Sequence, residues 1–151
     1  QIMLYSLKRE NILRVIDQVL LLNADVSYKV FEDSEDSYNK LPLLANRISI
    51  YLNRQDAVLG ISQFTKNILT PRLGKNGPSD LTHYKDIVSI IDCTFVKDDI
   101  LNSFKYEVGN HWGYLSSSQV QSDIFQNLNG IDRNLITNRS KDNENIFTII
   151  S

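Results

Sequence analysis

The 151-residue sequence predicts a mainly α-helical protein, a single compact domain of five to six helices with room for a minor two-stranded β element. Three observations lead there. Apolar residues recur at three- and four-residue steps over most of the chain. Glycine and proline gather at one strong break, residues 71 to 78, which is too short to be a domain linker. The composition, 42 % hydrophobic and 23 % charged, is that of a globular chain able to bury roughly two-thirds of its unfolded surface. Residues 1–151 therefore read as one helical domain.

The first helix carries Leu4, Leu7, Ile12, Val15, Ile16, Val19 and Leu20 on one stripe, with Lys8, Arg9, Arg14 and Asp17 largely outside it. Asn23 and Asp25 end it. Val26, Tyr28 and Val30 alternate, the pattern of a short edge strand over 26–31. EDSEDSYNK follows as a solvated loop, since a core has no place for four carboxylates without countercharges. A second helix starts near Leu41 with Pro42 in its first turn, where the missing N–H costs nothing. Leu44, Ile48, Tyr51 and Leu52 continue it. Asn53 to Asp56 makes a corner, or one long helix runs through to Leu69 by way of Val58, Leu59, Phe64 and Ile68.

Beyond the break, Ser79 or Asp80 caps a helix using Tyr84, Ile87, Val88 and Ile91. Its last part, SIIDCTFV, is β-branched enough to be a strand instead. Asp98 caps the next helix, with Ile100, Leu101, Phe104 and Val108 inward and Gly109 as its stop. SSSQ at 116–119 offers caps for the last helix, which bears Val120, Ile124, Phe125 and Leu128, with Leu135 as a further candidate. Residues 137–145 read as an exposed loop, and the closing IFTII is a β-prone piece that must dock or pair.

The function classes are narrowed mostly by exclusion. A formal charge of −2 and a pI near 5.6 argue against a direct nucleic-acid binder. No apolar run approaches the ~18 residues of a membrane span, and the opening QIMLYSLKREN reads as helix and not as a signal peptide. The lone Cys93 leaves no internal disulfide and no cysteine zinc site, which favours a cytoplasmic setting. His83 and Asp86 would share a helix face but lack a third ligand, so no metal is expected. PRLGKNGPSD, 71–80, has two glycines and two cations before a helix, yet fits neither the P-loop nor the dinucleotide spacing, so no cofactor is expected. Cys93 sits in an apolar stretch and behaves as a small hydrophobe. Ser116, His111 and an aspartate make a triad only on paper, because no G-x-S-x-G elbow accompanies them.

What remains is recognition. Glu32, Asp33, Glu35 and Asp36 concentrate charge beside Phe31 and Tyr38, a surface suited to a cationic protein partner. In NHWGYLSSSQ, 110–119, Trp112 and Tyr114 close a corner between two helices, and Trp112 would anchor any partner that lands there. The expectation is a non-catalytic binding protein, foremost an immunity protein that inhibits a cationic bacterial toxin. Two alternatives stand beside it: a helical adaptor subunit of a larger assembly, such as one that acts on nucleic acid, and an enzyme whose scattered residues gather around His83 or His111.

Overall fold

A computed structural model describes residues 14–32, 37–65, 70–96 and 113–150. Its centre is a five-stranded sheet in the order β1-β2-β3-β5-β4. The strands are β1 (Ile16–Leu22), β2 (Ala45–Leu52), β3 (Val88–Asp92), β4 (Arg139–Lys141) and β5 (Ile146–Ile149). β1, β2, β3 and β5 run parallel, and β4 closes the far edge antiparallel to β5. The helices are short: α1 (Leu41–Leu44), α2 (Ala57–Thr65), α3 (Leu73–Asn76), α4 (Gly113–Ser116) and α5 (Ser118–Leu128).

The mainly helical expectation is therefore wrong, and the reason is physical. VLLL in β1, ISIYL in β2 and VSII in β3 are almost unbroken apolar runs. Such a run satisfies a three-and-four spacing trivially, because every spacing is filled. Central strands of a parallel sheet carry both faces inward and so read as continuous hydrophobic segments. Length and β-branching decide between the two, and these runs are strand-length and rich in Ile and Val.

Particular elements move accordingly. The C-terminal end of the expected first helix is β1, and the part before residue 14 lies outside the described residues. Residues 26–31 form no strand; Ser27 makes one isolated bridge to Arg72 while Tyr28 donates to the Pro71 carbonyl at 2.9 Å. Pro42 lies in the first turn of α1, but that helix lasts a single turn before Ala45 becomes extended at φ −107° and ψ 145°. The expected helix over 80–91 is a run of turns followed by β3. The expected helix after Asp98 falls outside the described residues. Within 137–145, residues 139–141 are strand and the rest is the connection to β5.

Side-chain alternation along β2 sends Ile48 and Ile50 to one face and Ser49 and Tyr51 to the other. The first face is covered by Val30, Phe31 and Leu73. The second is covered by α5 through Val120 and Ile124, with Ile91 and Ile149 beside Tyr51. Ser117 caps α5 by accepting the Val120 N–H at 3.3 Å. One glycine is fixed by space. A Cβ on Gly74 would stand 2.2 Å from the carbonyl carbon of Asn23, so α3 meets the end of β1 backbone against backbone. No helix among the described residues is long and apolar enough to cross a membrane.

Candidate active site at the carboxyl end of the sheet

In open parallel sheets, ligands bind outside the carboxyl ends of the strands. Here those ends are Asn23 after β1, Asn53 to Asp56 after β2, and Asp92 to Thr94 after β3. Asp56 is fully buried. It precedes the first residue of α2, and its Oδ1 accepts the Leu59 N–H at 2.9 Å, a side-chain cap on that helix. Its Oδ2 accepts the Asn23 side-chain amide at 3.3 Å. Asn53 shapes the turn that delivers it: its Oδ1 accepts Gln55 N–H at 2.9 Å, and its carbonyl accepts Asp56 N–H at 3.1 Å. Asn23 itself has φ 43°, a left-handed backbone that Asn tolerates better than most residues.

The end of β3 is tied to the same edge. Arg54 Nε donates to Asp92 at 2.9 Å, Arg54 N–H to Thr94 Oγ1 at 3.0 Å, and Thr94 N–H to Asp92 Oδ1 at 2.9 Å. The half-exposed Arg54 makes this a surface pair of modest energetic weight. Cys93 sits between them. Burial, then the negative charges of Asp123 and Asp92, push its thiol up. A raised thiol holds little thiolate at neutral pH and is a poor nucleophile. Native protein treated with iodoacetamide at pH 8 is expected to keep Cys93 unmodified, and urea-unfolded protein to be alkylated; mass spectrometry reads both.

A second buried carboxylate, Asp123 on α5, has a different environment. Arg139 of β4 donates to it twice, at 2.6 Å from Nε and 2.8 Å from Nη2, and the Tyr51 hydroxyl donates at 2.7 Å. Both charged side chains are almost wholly enclosed, 0 % exposed for Asp123 and 2 % for Arg139. The guanidinium also lies 5.2 Å over the Phe147 ring. Burial and the adjoining Asp123 carboxylate push the Tyr51 phenol up. Burial opposes the Arg139 cation, yet the hydrogen bonds and charge of Asp123 hold it above its ordinary value. Asn127, one turn on, donates to Ser49 at 2.7 Å and to Tyr51 at 3.2 Å. Asp123 is thus paired with a cation and locks α5 across the sheet, whereas the Asp56 carboxylate accepts from the Asn23 amide and the Leu59 N–H at the strand ends.

The residues singled out from sequence are dispersed. Glu32 is exposed and accepts a hydrogen bond from Ser79. Asp33, Glu35, Asp36, His111 and Trp112 lie outside the described residues. Tyr38 packs on the Ile48 face and Tyr114 on the Tyr51 face, so the two tyrosines are on opposite sides of the sheet. Ser116 is buried, and its Oγ finds no partner among the described residues. His83 is exposed in the turns that precede β3, at the amino end of the sheet. The length of β3 alone, roughly 17 Å, separates it from the Asp56 edge. No three His, Cys, Asp or Glu side chains among the described residues are grouped to hold a metal. The sequence reading passed over Asp56 and Asp123. The signal for Asp56 was there: an Asn-x-x-Asp corner leading into Ala57-Val58-Leu59 is an N-cap pattern.

A family model described as an alpha/beta hydrolase of unknown function (DUF900) matches residues 3–139. The chain belongs to that family. Membership agrees with a mostly parallel sheet and with a polar edge at the strand carboxyl ends. It overturns the expectation of a non-catalytic immunity protein inhibiting a toxin, and with it the statement that the chain is no enzyme. Among curated proteins and among solved structures nothing matches this hydrolase-family chain.

Proposed function

We propose that this chain carries the acid–base part of a hydrolase site, with Asp56 as the carboxylate that orients an imidazole and His111 as that imidazole. One observation carries the reading: in a chain of a hydrolase family, Asp56 is buried at the carboxyl end of a parallel strand, its carboxylate accepting from Asn23 and Leu59. Hydrolases of the α/β type place their triad in the chain order nucleophile, acid, histidine. His111 follows Asp56, and its place in sequence is after the carboxyl end of β3. His83 also follows Asp56 but precedes β3, at the opposite end of the sheet.

The chemistry asked of these groups is proton handling. The imidazole takes the proton of the attacking hydroxyl and passes it to the leaving group. The carboxylate fixes the tautomer and stabilises the imidazolium without taking the proton itself. In such sites the nucleophile precedes the acid in the chain. Among the described residues β1 is the outer strand of the sheet, and its edge suits a further parallel strand: Val19 and Leu21 turn to one face, Leu20 and Leu22 to the other, and the strand holds no Pro or Lys. The carboxyl end of such a strand would fall beside Asn23 and Asp56.

The test compares two histidines. With a p-nitrophenyl ester as probe, His111→Ala is expected to lower kcat/KM by on the order of 10³-fold or more, and His83→Ala to leave it within about twofold, the change of a surface substitution. Equal effects of the two variants, or an active His111→Ala protein, would refute the assignment.

A further inference from the structure

We propose that the segment Arg72-Leu73-Gly74-Lys75 is the positioning element for Asp56, and that Lys75 is its working contact. The inference rests on the role given to Asp56 above. Lys75 Nζ donates to the backbone carbonyl of Asp56 at 3.1 Å. The same carbonyl accepts the Gly60 N–H at 3.3 Å. A Cβ on Gly60 would come within 3.1 Å of Lys75 Nζ, so the missing side chain on α2 leaves the ammonium its place.

The rest of the segment wedges this lysine between two strand ends. Gly74 N–H donates to the Ala24 carbonyl just past β1, and the Gly74 carbonyl accepts the Asn53 N–H just past β2, both at 2.9 Å. Leu73 N–H donates to the Val26 carbonyl at 2.9 Å, and Leu73 is wholly buried. The buried Arg72 guanidinium stands 3.2 Å from Asp25, which also accepts from Ser62 of α2. The contact between Gly74 and Asn23 holds the latter where its amide reaches Asp56 Oδ2.

Both ends of the acid are therefore tethered. Asn23 and Leu59 hold the carboxylate, while Lys75 and Gly60 hold the carbonyl. The two cations that made 71–80 resemble an anion loop are engaged inside the protein, Arg72 with Asp25 and Lys75 with Asp56. An orienting carboxylate acts through its angle to the imidazole, and displacement on the scale of an ångström costs rate without weakening substrate binding.

Lys75→Met keeps the apolar stem and removes the donor. In the full chain, with a p-nitrophenyl ester, it is expected to lower kcat roughly tenfold at unchanged KM and melting temperature, and Lys75→Arg to recover part of the loss. A merely structural lysine would move the melting temperature instead. The amide resonance of Leu59, whose N–H binds the Asp56 carboxylate, is expected to shift in Lys75→Met and to return towards its original position in Lys75→Arg. That readout is independent of turnover. A Lys75→Met protein with both kcat and the Leu59 resonance unchanged overturns the proposal. A wild-type protein without ester hydrolysis, whose Leu59 resonance still responds to Lys75, overturns the hydrolase reading and upholds the positioning element.

Discussion

Asp123→Asn is expected to lower the unfolding free energy by about 3–5 kcal/mol, because it leaves a buried guanidinium without its counter-ion. Few single substitutions in this chain should cost more. The Arg139 side chain is almost wholly enclosed, its Nη1 has no hydrogen-bond partner among the described residues, and its Nε and Nη2 both bind Asp123. Tyr51 also loses a charged acceptor. For a chain of this length the expected fall in melting temperature is on the order of 10 °C. Urea unfolding followed by circular dichroism measures it. The double variant Asp123→Leu with Arg139→Met removes both charges and is expected to recover most of the loss, since a buried ion pair is often replaceable by apolar side chains. A single variant as stable as the wild type would show that the ion pair is not the clasp of α5.

Asp56→Asn is expected to act far more on rate than on stability. The amide oxygen still accepts the Leu59 N–H, so the α2 cap survives, but the new NH2 faces the Asn23 amide that donated to Oδ2. With Asn23 turned to present its oxygen, the expected loss of stability is about 1–2 kcal/mol. What disappears is the charge that fixes the imidazole tautomer and steadies the imidazolium. The expected fall in kcat/KM is on the order of 10³–10⁴-fold, read with the same p-nitrophenyl ester at neutral pH. The two buried aspartates thus separate cleanly: one variant unfolds early, the other stays folded and slow. An Asp56→Asn protein retaining more than about a tenth of the activity would move the acid's role elsewhere.

Punctuation in this chain was legible from sequence, and the type of the main elements was not. The corner at Asn53–Asp56, Pro42 in a first turn and the Ser cap before Val120 all rest on local chemistry, and each sits where its residues put it; the expected break at 71–78 instead holds the single-turn helix α3. The strands escaped because their information is non-local. Nothing within LLL or SII says that a neighbouring strand will satisfy the backbone, and a filled apolar run fits a helix stripe as well as a strand. SIIDCTFV held the strand as a second reading, and its Ile and Val were the better guide. The final IFTII was read correctly as a piece that must dock, and it does so between β3 and β4.

The candidate site was harder to see for the same reason. Asn23, Asp56 and Lys75 are separated by 33 and 19 positions, and only a parallel sheet brings their strand ends and turns to one edge. No spacing rule within a motif joins them. The two glycines and two cations of PRLGKNGPSD fit no phosphate-loop spacing, yet glycine there does permit a close approach. The approach is real, but what comes close is the backbone of Asn23 and not a ligand.

The most direct test of the whole account is the position of one ring. A crystal structure of the full chain should place a nitrogen of His111 within hydrogen-bonding distance of the Asp56 carboxylate, about 2.6–3.2 Å, at the carboxyl end of β2. An imidazole turned to solvent, or one bonded to Asp123, would contradict it.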